Sequence, residues 1–288
     1  MATSVGAAAT VCAETPPAAT PLLMPPYDFN APDADTILRS SDGKELLVHA
    51  LILSLSSPVF QGMLALPQSD GSSSRMPTID LSDPSNVLEP FIQYLYPRSP
   101  PEITDISMWV ALFAIADKYN AEAVTEPLRG MLIPLFLETS PLRVYALASR
   151  WGFEEEARIA SRRTLTIDIF KNFPREDAEL MGGGACQQLY LLHFNRREAA
   201  LNLVENHPFL VVRHPSCRCS TLDRKDLVQA LGQRVVMSPW LTAEEMCEEI
   251  AKGEYPVNCG PHCRNAIRHI HAFFTSFLKA VSDLPQTI

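Results

Sequence analysis

Asp35-Thr36-Ile37-Leu38-Arg39-Ser40-Ser41-Asp42-Gly43-Lys44-Glu45-Leu46-Leu47-Val48-His49-Ala50 runs without interruption into Leu51-Ile52-Leu53-Ser54-Leu55-Ser56-Ser57-Pro58-Val59-Phe60. Two short apolar runs flank Asp42-Gly43, a pair suited to a tight turn, so the first half reads as a β-hairpin. The second strand passes directly into a helical segment, which Ser57-Pro58 restarts as a capped second helix. A hairpin feeding straight into helices sets a mixed fold, with a small sheet flanked by helices.

Further along, Met76-Pro77-Thr78-Ile79-Asp80-Leu81 reads as a third strand, reached through the polar loop Ser69 to Ser74. Asp83-Pro84 is expected to cap the next helix, with proline in its first turn. Val87, Leu88, Phe91, Ile92, Leu95 and Tyr96 recur at helical spacing until Pro97 ends the run, and Pro90 is a candidate kink. Ile106, Trp109, Val110, Phe113, Ala114, Ala116 and Tyr119 then give a wide apolar helix, which belongs at the centre of its domain.

This order of elements resembles a BTB/POZ domain. The usual pattern there is an Asp-led strand, a hairpin, and a His followed by a leucine- and serine-rich helix ending in Phe; here Asp35, His49 and Phe60 hold those places. Leu112-Phe113-Ala114-Ile115-Ala116-Asp117-Lys118-Tyr119 is similar to a helix found late in such domains. The resemblance implies an α+β BTB/POZ fold over residues 31–125. An Ala/Thr/Pro-rich disordered arm over 1–30 precedes it, in which only Tyr27 and Phe29 could dock on a folded body, and an all-helical extension over 126–288 follows.

In that extension, Val144-Tyr145-Ala146-Leu147-Ala148 and the Ala157, Ala160, Leu165 stripe predict a helical hairpin turned at Gly152. Gly182-Gly183-Gly184 reads as a flexible break before a helix over 187–205, with Leu189, Tyr190, His193, Ala200 and Leu203 facing inward. A short helix capped by Thr242 and Glu245, and a final amphipathic helix from Pro261 to Leu284, complete the chain. The layout is similar to that of fungal BTB proteins with a helical extension.

The seven cysteines, an odd count, accompany a start without a basic leader, which points to a reducing cytoplasmic or nuclear setting. Cys217, Cys219, Cys259 and Cys263 form two close pairs near His214 and His262. Free thiols are the first reading, a closed structural zinc site the second and a disulfide the last. No other cofactor is expected.

A net charge of -9 disfavours direct binding to nucleic acid or to anionic membranes, since both require a basic face. Arg158, Arg162 and Arg163 read as a solvated helix face, paired with nearby carboxylates. No phosphate-binding glycine loop, nucleophile elbow or metalloprotease helix is visible, so an enzyme is not expected. His49 could serve as a base beside Asp35, yet a packed histidine bonded to backbone or to that Asp is the preferred reading.

The resemblance implies protein–protein interaction by pairing with itself or with another BTB protein. The candidate interface is Leu51, Leu55, Val59, Phe60 and Met63; the alternative is that these residues only fill the core of the monomer. The resemblance also implies docking on cullin-type ubiquitin ligase scaffolds or on transcriptional corepressors. Two departures bear on these roles: Ala50 stands where corepressor-binding relatives carry a basic residue, and Leu64-Ala65-Leu66-Pro67-Gln68 lacks the acidic residue of a cullin-binding motif. A substrate adaptor and a regulator acting through a DNA-binding partner are the alternative functions.

Overall fold

The computed structural model describes residues 26–66, 76–206, 275–276 and 279–288, and the chain divides into two compact units, Met1–Leu128 and Arg129–Ile288. No helix among the described residues is long and apolar enough to cross a membrane.

The first unit is built on a sheet of order β2-β1-β3, with β1 Thr36–Arg39, β2 Glu45–Val48 and β3 Thr78–Asp80. β1 and β2 form the expected hairpin. Gly43 takes the left-handed φ of 84° that closes it, and Ser40 N–H returns to Lys44 O at 2.9 Å. The alternation of the strands decides their faces: Thr36, Leu38, Leu46, Val48 and Ile79 are buried, with Leu38 opposite Leu46 and Ile79. On the solvent face, Arg39 reaches Glu45 at 3.1 Å and Asp80 at 2.9 Å, each its register partner.

β3 runs parallel to β1, which requires a crossover; α1 Ala50–Ser56 and α2 Pro58–Leu64 provide it. Ser57 separates the two helices. Its hydroxyl accepts from Phe60 N–H at 3.1 Å and donates to Tyr119 O. α3 Ser85–Leu95 buries Leu88, Phe91, Ile92 and Leu95, and it accommodates Pro90.

Asp83 does not cap α3, contrary to the sequence reading. The helix starts one residue later, with Pro84 at the cap position, and Asp42 of the hairpin turn accepts from Ser85 N–H at 3.0 Å and from its hydroxyl at 2.6 Å. The Ser40 and Ser85 hydroxyls hold the Asp42 carboxyl at a pKa of about 2. Asp83 instead receives Lys118 Nζ and the Tyr119 hydroxyl, both at 2.6 Å, and so ties the chain after β3 to the end of α4.

α4 Ile106–Lys118 is capped by Asp105, which accepts from Ser107 and Met108 N–H. Leu112 and Ile115 join Trp109, Phe113 and Ala116 in the core, while Ala114 faces outward. The helix ends with Asn120 at a φ of 50° and with Ala121 N–H bonded to Ala116 O, a left-handed cap that leaves few carbonyls unsatisfied. Phe60, Phe91 and Tyr119 stack in the core, with Phe60 and Tyr119 4.6 Å apart. α5 Glu122–Phe136 crosses the boundary between the units.

In the second unit, α6 Pro141–Arg150 and α7 Glu154–Thr164 form the expected hairpin, turned by Gly152 at a φ of 71°. α8 Arg175–Asn206 begins earlier than predicted, because only Gly182 leaves helical geometry, at a φ of 75°. Gly183 and Gly184 remain helical, so the triplet is a kink inside the helix rather than a linker.

Leu189, His193 and Ala200 face inward as expected, joined by Leu192 and Arg196. Tyr190, expected inward, points to solvent. Arg196 donates to the carbonyls of Val281, Leu284 and Pro285 at 3.1 to 3.2 Å. Of the final amphipathic helix, residues 275–276 and 279–282 are helical and Val281 is buried. The Thr242–Glu245 cap and the loop Ser69 to Ser74 lie outside the described residues.

Candidate protein-interaction surface

The face of α1 follows from its spacing. Leu53 points into the core, so Leu51 and Leu55, one turn apart, share the opposite side, where they are 69% and 79% exposed. Val59 and Met63 on α2 are half-buried. Phe60 does not belong to this surface: it is fully buried, stacked against Phe91 and Tyr119, and it is a core residue of the monomer. Leu66, just beyond α2, adds an exposed side chain that the sequence reading had not singled out.

At the start of α1 the structure separates His49 from Asp35. Asp35 Oδ1 accepts from Ala50 N–H at 2.7 Å and from the Thr36 hydroxyl at 3.1 Å, which makes it an anchor for the helix N-terminus. The carboxylate facing His49 Nε2 is Asp33, at 3.4 Å, and not Asp35, which the sequence offered beside the backbone as a partner for the packed ring. The Tyr96 hydroxyl accepts from His49 N–H at 3.0 Å and lies 3.1 Å from Nδ1. It can therefore donate to Nδ1, which leaves Nε2 to donate to Asp33.

Tyr27 completes this cluster. Its ring stacks on Tyr96 with centroids 3.8 Å apart, and its hydroxyl donates to Leu47 O at 3.0 Å. Phe29 O accepts from Leu47 N–H at 3.2 Å, so the outward backbone groups of Leu47 on β2 are both occupied. Residues 27–30, expected in the disordered arm, thus include a buried aromatic anchor; burial and hydrogen bonding pull the end of the arm into the domain. Burial also raises the pKa values of Tyr27 and Tyr96, keeping both hydroxyls protonated as hydrogen-bond donors.

The arginines read as a solvated face are paired: Arg158 with Glu155 at 2.6 Å, and Arg163 with Glu138. Among the described residues no group of His, Cys, Asp or Glu is arranged to hold a metal ion. Cys217, Cys219, Cys259 and Cys263, with His214 and His262, lie outside the described residues.

A search of curated proteins found no match. Residues 29–134 match the family model of the BTB/POZ domain, a span that includes all three strands and α1 to α4. The three-stranded sheet, its flanking helices and the matched span agree: this chain carries a BTB/POZ domain, a protein-interaction module, followed by a helical C-terminal region.

Proposed function

We propose that the chain is a noncatalytic interaction protein that pairs with itself, or with another BTB/POZ protein, through the outer face of α1 and α2. The observation that carries this reading is the exposure of Leu51 and Leu55 on one side of α1. Each large aliphatic side chain moved from water into an interface gains roughly 1.5–3 kcal/mol, so a pair of such faces is a strong incentive to associate. A two-fold pairing would bring the same patch together from both copies, with Val59 and Met63 at its margin.

Light scattering on the full chain at micromolar concentration tests this. The native chain is expected to show at least twice the monomer mass, and Leu55→Glu is expected to return it to monomer mass. Because Leu55 is a surface residue, the variant's stability should stay within about 0.5 kcal/mol of native. A native chain that is strictly monomeric, alone and with BTB/POZ partners, overturns the reading.

A second reading, a substrate adaptor for a cullin-type ubiquitin ligase, has in its support the exposed apolar Leu66 just after α2 and against it the lack of an acidic residue in 64–68. A pull-down with a cullin scaffold that retains nothing above background would remove it. A transcriptional role would require a DNA-binding partner.

A further inference from the structure

Tyr190 faces outward as part of a cluster. Phe170, Tyr190, Leu191 and Phe194 are 39%, 49%, 43% and 41% exposed, and the Tyr190 ring links those of Phe170 and Phe194. Phe170, in the turn after α7, meets Tyr190 edge-on with centroids 5.4 Å apart, and Tyr190 stacks on Phe194 at 6.1 Å. His193 and Asp168 support the cluster from beneath: the His193 ring contacts Phe170 edge-on, and Asp168 accepts from Phe170 N–H at 3.1 Å. The rings are therefore held in place, and rigid aromatics lose little entropy when a partner covers them.

The cluster has a charge at its edge. The Arg197 guanidinium lies over the Phe170 ring, 5.8 Å from its centroid, and Lys171 extends into solvent on the same turn as Phe170, held to Asp168 only at 3.4 Å. Glu198, four residues after Phe194 and seven after Leu191, is exposed and adds one carboxylate to this face, beside the Arg197 that lies over Phe170. Aromatic rings beside an arginine are the composition that interface centres favour.

We propose that this face of α8 is a docking site for a partner protein's amphipathic helix, one presenting large apolar side chains with a carboxylate placed to meet Arg197. Apolar side chains would cover Tyr190, Leu191 and Phe194, and the carboxylate would pair with Arg197 while its guanidinium stays on Phe170. The inference rests on the protein-interaction reading and assigns the helical region its own partner surface, separate in chemistry from the aliphatic face of α1.

The test uses the full chain and two synthetic probes: a fluorescent amphipathic helix with a Leu/Phe face flanked by glutamates, and its counterpart with lysines. The glutamate probe is expected to bind roughly tenfold more tightly than the lysine probe. Phe194→Ser should weaken the glutamate probe roughly tenfold, and Arg197→Glu should invert the preference. Hydroxyl-radical footprinting of the free chain should modify Tyr190 and Phe194 readily.

Equal binding of both probes, or binding unaffected by Phe194→Ser and Arg197→Glu, overturns the proposal. So does protection of Tyr190 and Phe194 in the free chain, because another part of this chain or a second copy would then be the occupant. Leu55→Glu should leave probe binding intact. A native chain that does not pair but binds the probes selectively breaks only the α1 reading, and a native chain that pairs but shows no probe selectivity breaks only this one.

Discussion

Around Phe60 the first unit buries stacked rings and keeps its polar atoms at their edges, where the Tyr119 hydroxyl meets Asp83 and the Ser57 hydroxyl caps α2. Around His193 the second unit buries an imidazole beside a guanidinium. The Thr164 hydroxyl donates to Ser161 O at 2.6 Å and lies 3.0 Å from His193 Nε2, so Nε2 is the donor in that pair. Arg196 donates through its two terminal nitrogens to three backbone carbonyls rather than to a carboxylate, and its buried Nε has no hydrogen-bond partner among the described residues. Burial, then the Arg196 charge, lower the His193 pKa to about 4, against the smaller opposing pull of Asp168. The stability of one unit thus depends on packing volume, and that of the other on the protonation state of a buried ring.

Truncation is the strongest way to sharpen this contrast. Phe60→Ala should cost the first unit about 4 kcal/mol, read by denaturant unfolding at Trp109, because the cavity opens between two stacked rings that cannot close over it. A cost near 1 kcal/mol would mean the stack collapses freely and the contrast is overdrawn.

Acid is the next. His193 has a folded pKa below its unfolded value of 6.5, so its contribution is fully present above pH 6.5 and is lost progressively as the pH falls toward about 4. The shift corresponds to roughly 3 kcal/mol across that window. Unfolding of the second unit, read at Trp151, should show this slope. His193→Gln, which keeps a donor toward Thr164 without titrating, should flatten it. A slope unchanged in the variant would assign the acid sensitivity elsewhere.

The smallest effect is expected at the rim of the first core. Tyr119→Phe removes the hydroxyl from Asp83 and leaves Lys118 in place, and should cost about 1 kcal/mol in the same Trp109 measurement.

Most of the first unit was legible in the sequence because its signals are local: Asp42-Gly43 makes the turn, alternation assigns the strand faces, and Ser57-Pro58 restarts the helix. The hairpin of α6 and α7 followed from Gly152 for the same reason. Periodicity finds the buried stripe of a helix but not the exact edges of that stripe. Tyr190 lies one position past the buried Leu189 and was misplaced for that reason, while Phe60 was assigned to a surface because its stacking partners lie far along the chain. Pairings across long separations were also invisible: Asp83 with Tyr119, His49 with Asp33 in place of Asp35, and Arg196 with carbonyls beyond Val281. The candidate surface on α1 was readable from leucine spacing, whereas the aromatic cluster on α8 needed Phe170, brought in by a turn that no pattern announces.

The carbonyls that hold Arg196 have a further consequence, for the order in which a nascent chain acquires its structure. By the time a ribosome has added residue 136, the sheet, α1 to α4 and the rings around Phe60 have all been synthesised. Arg196 must wait for Val281, Leu284 and Pro285, 85 to 89 residues downstream. With translation at about 5–20 residues per second, that is a delay of several seconds in which the guanidinium lacks its native acceptors. All residues of the BTB/POZ domain are therefore made well before the acceptors on which the buried guanidinium of the helical region depends.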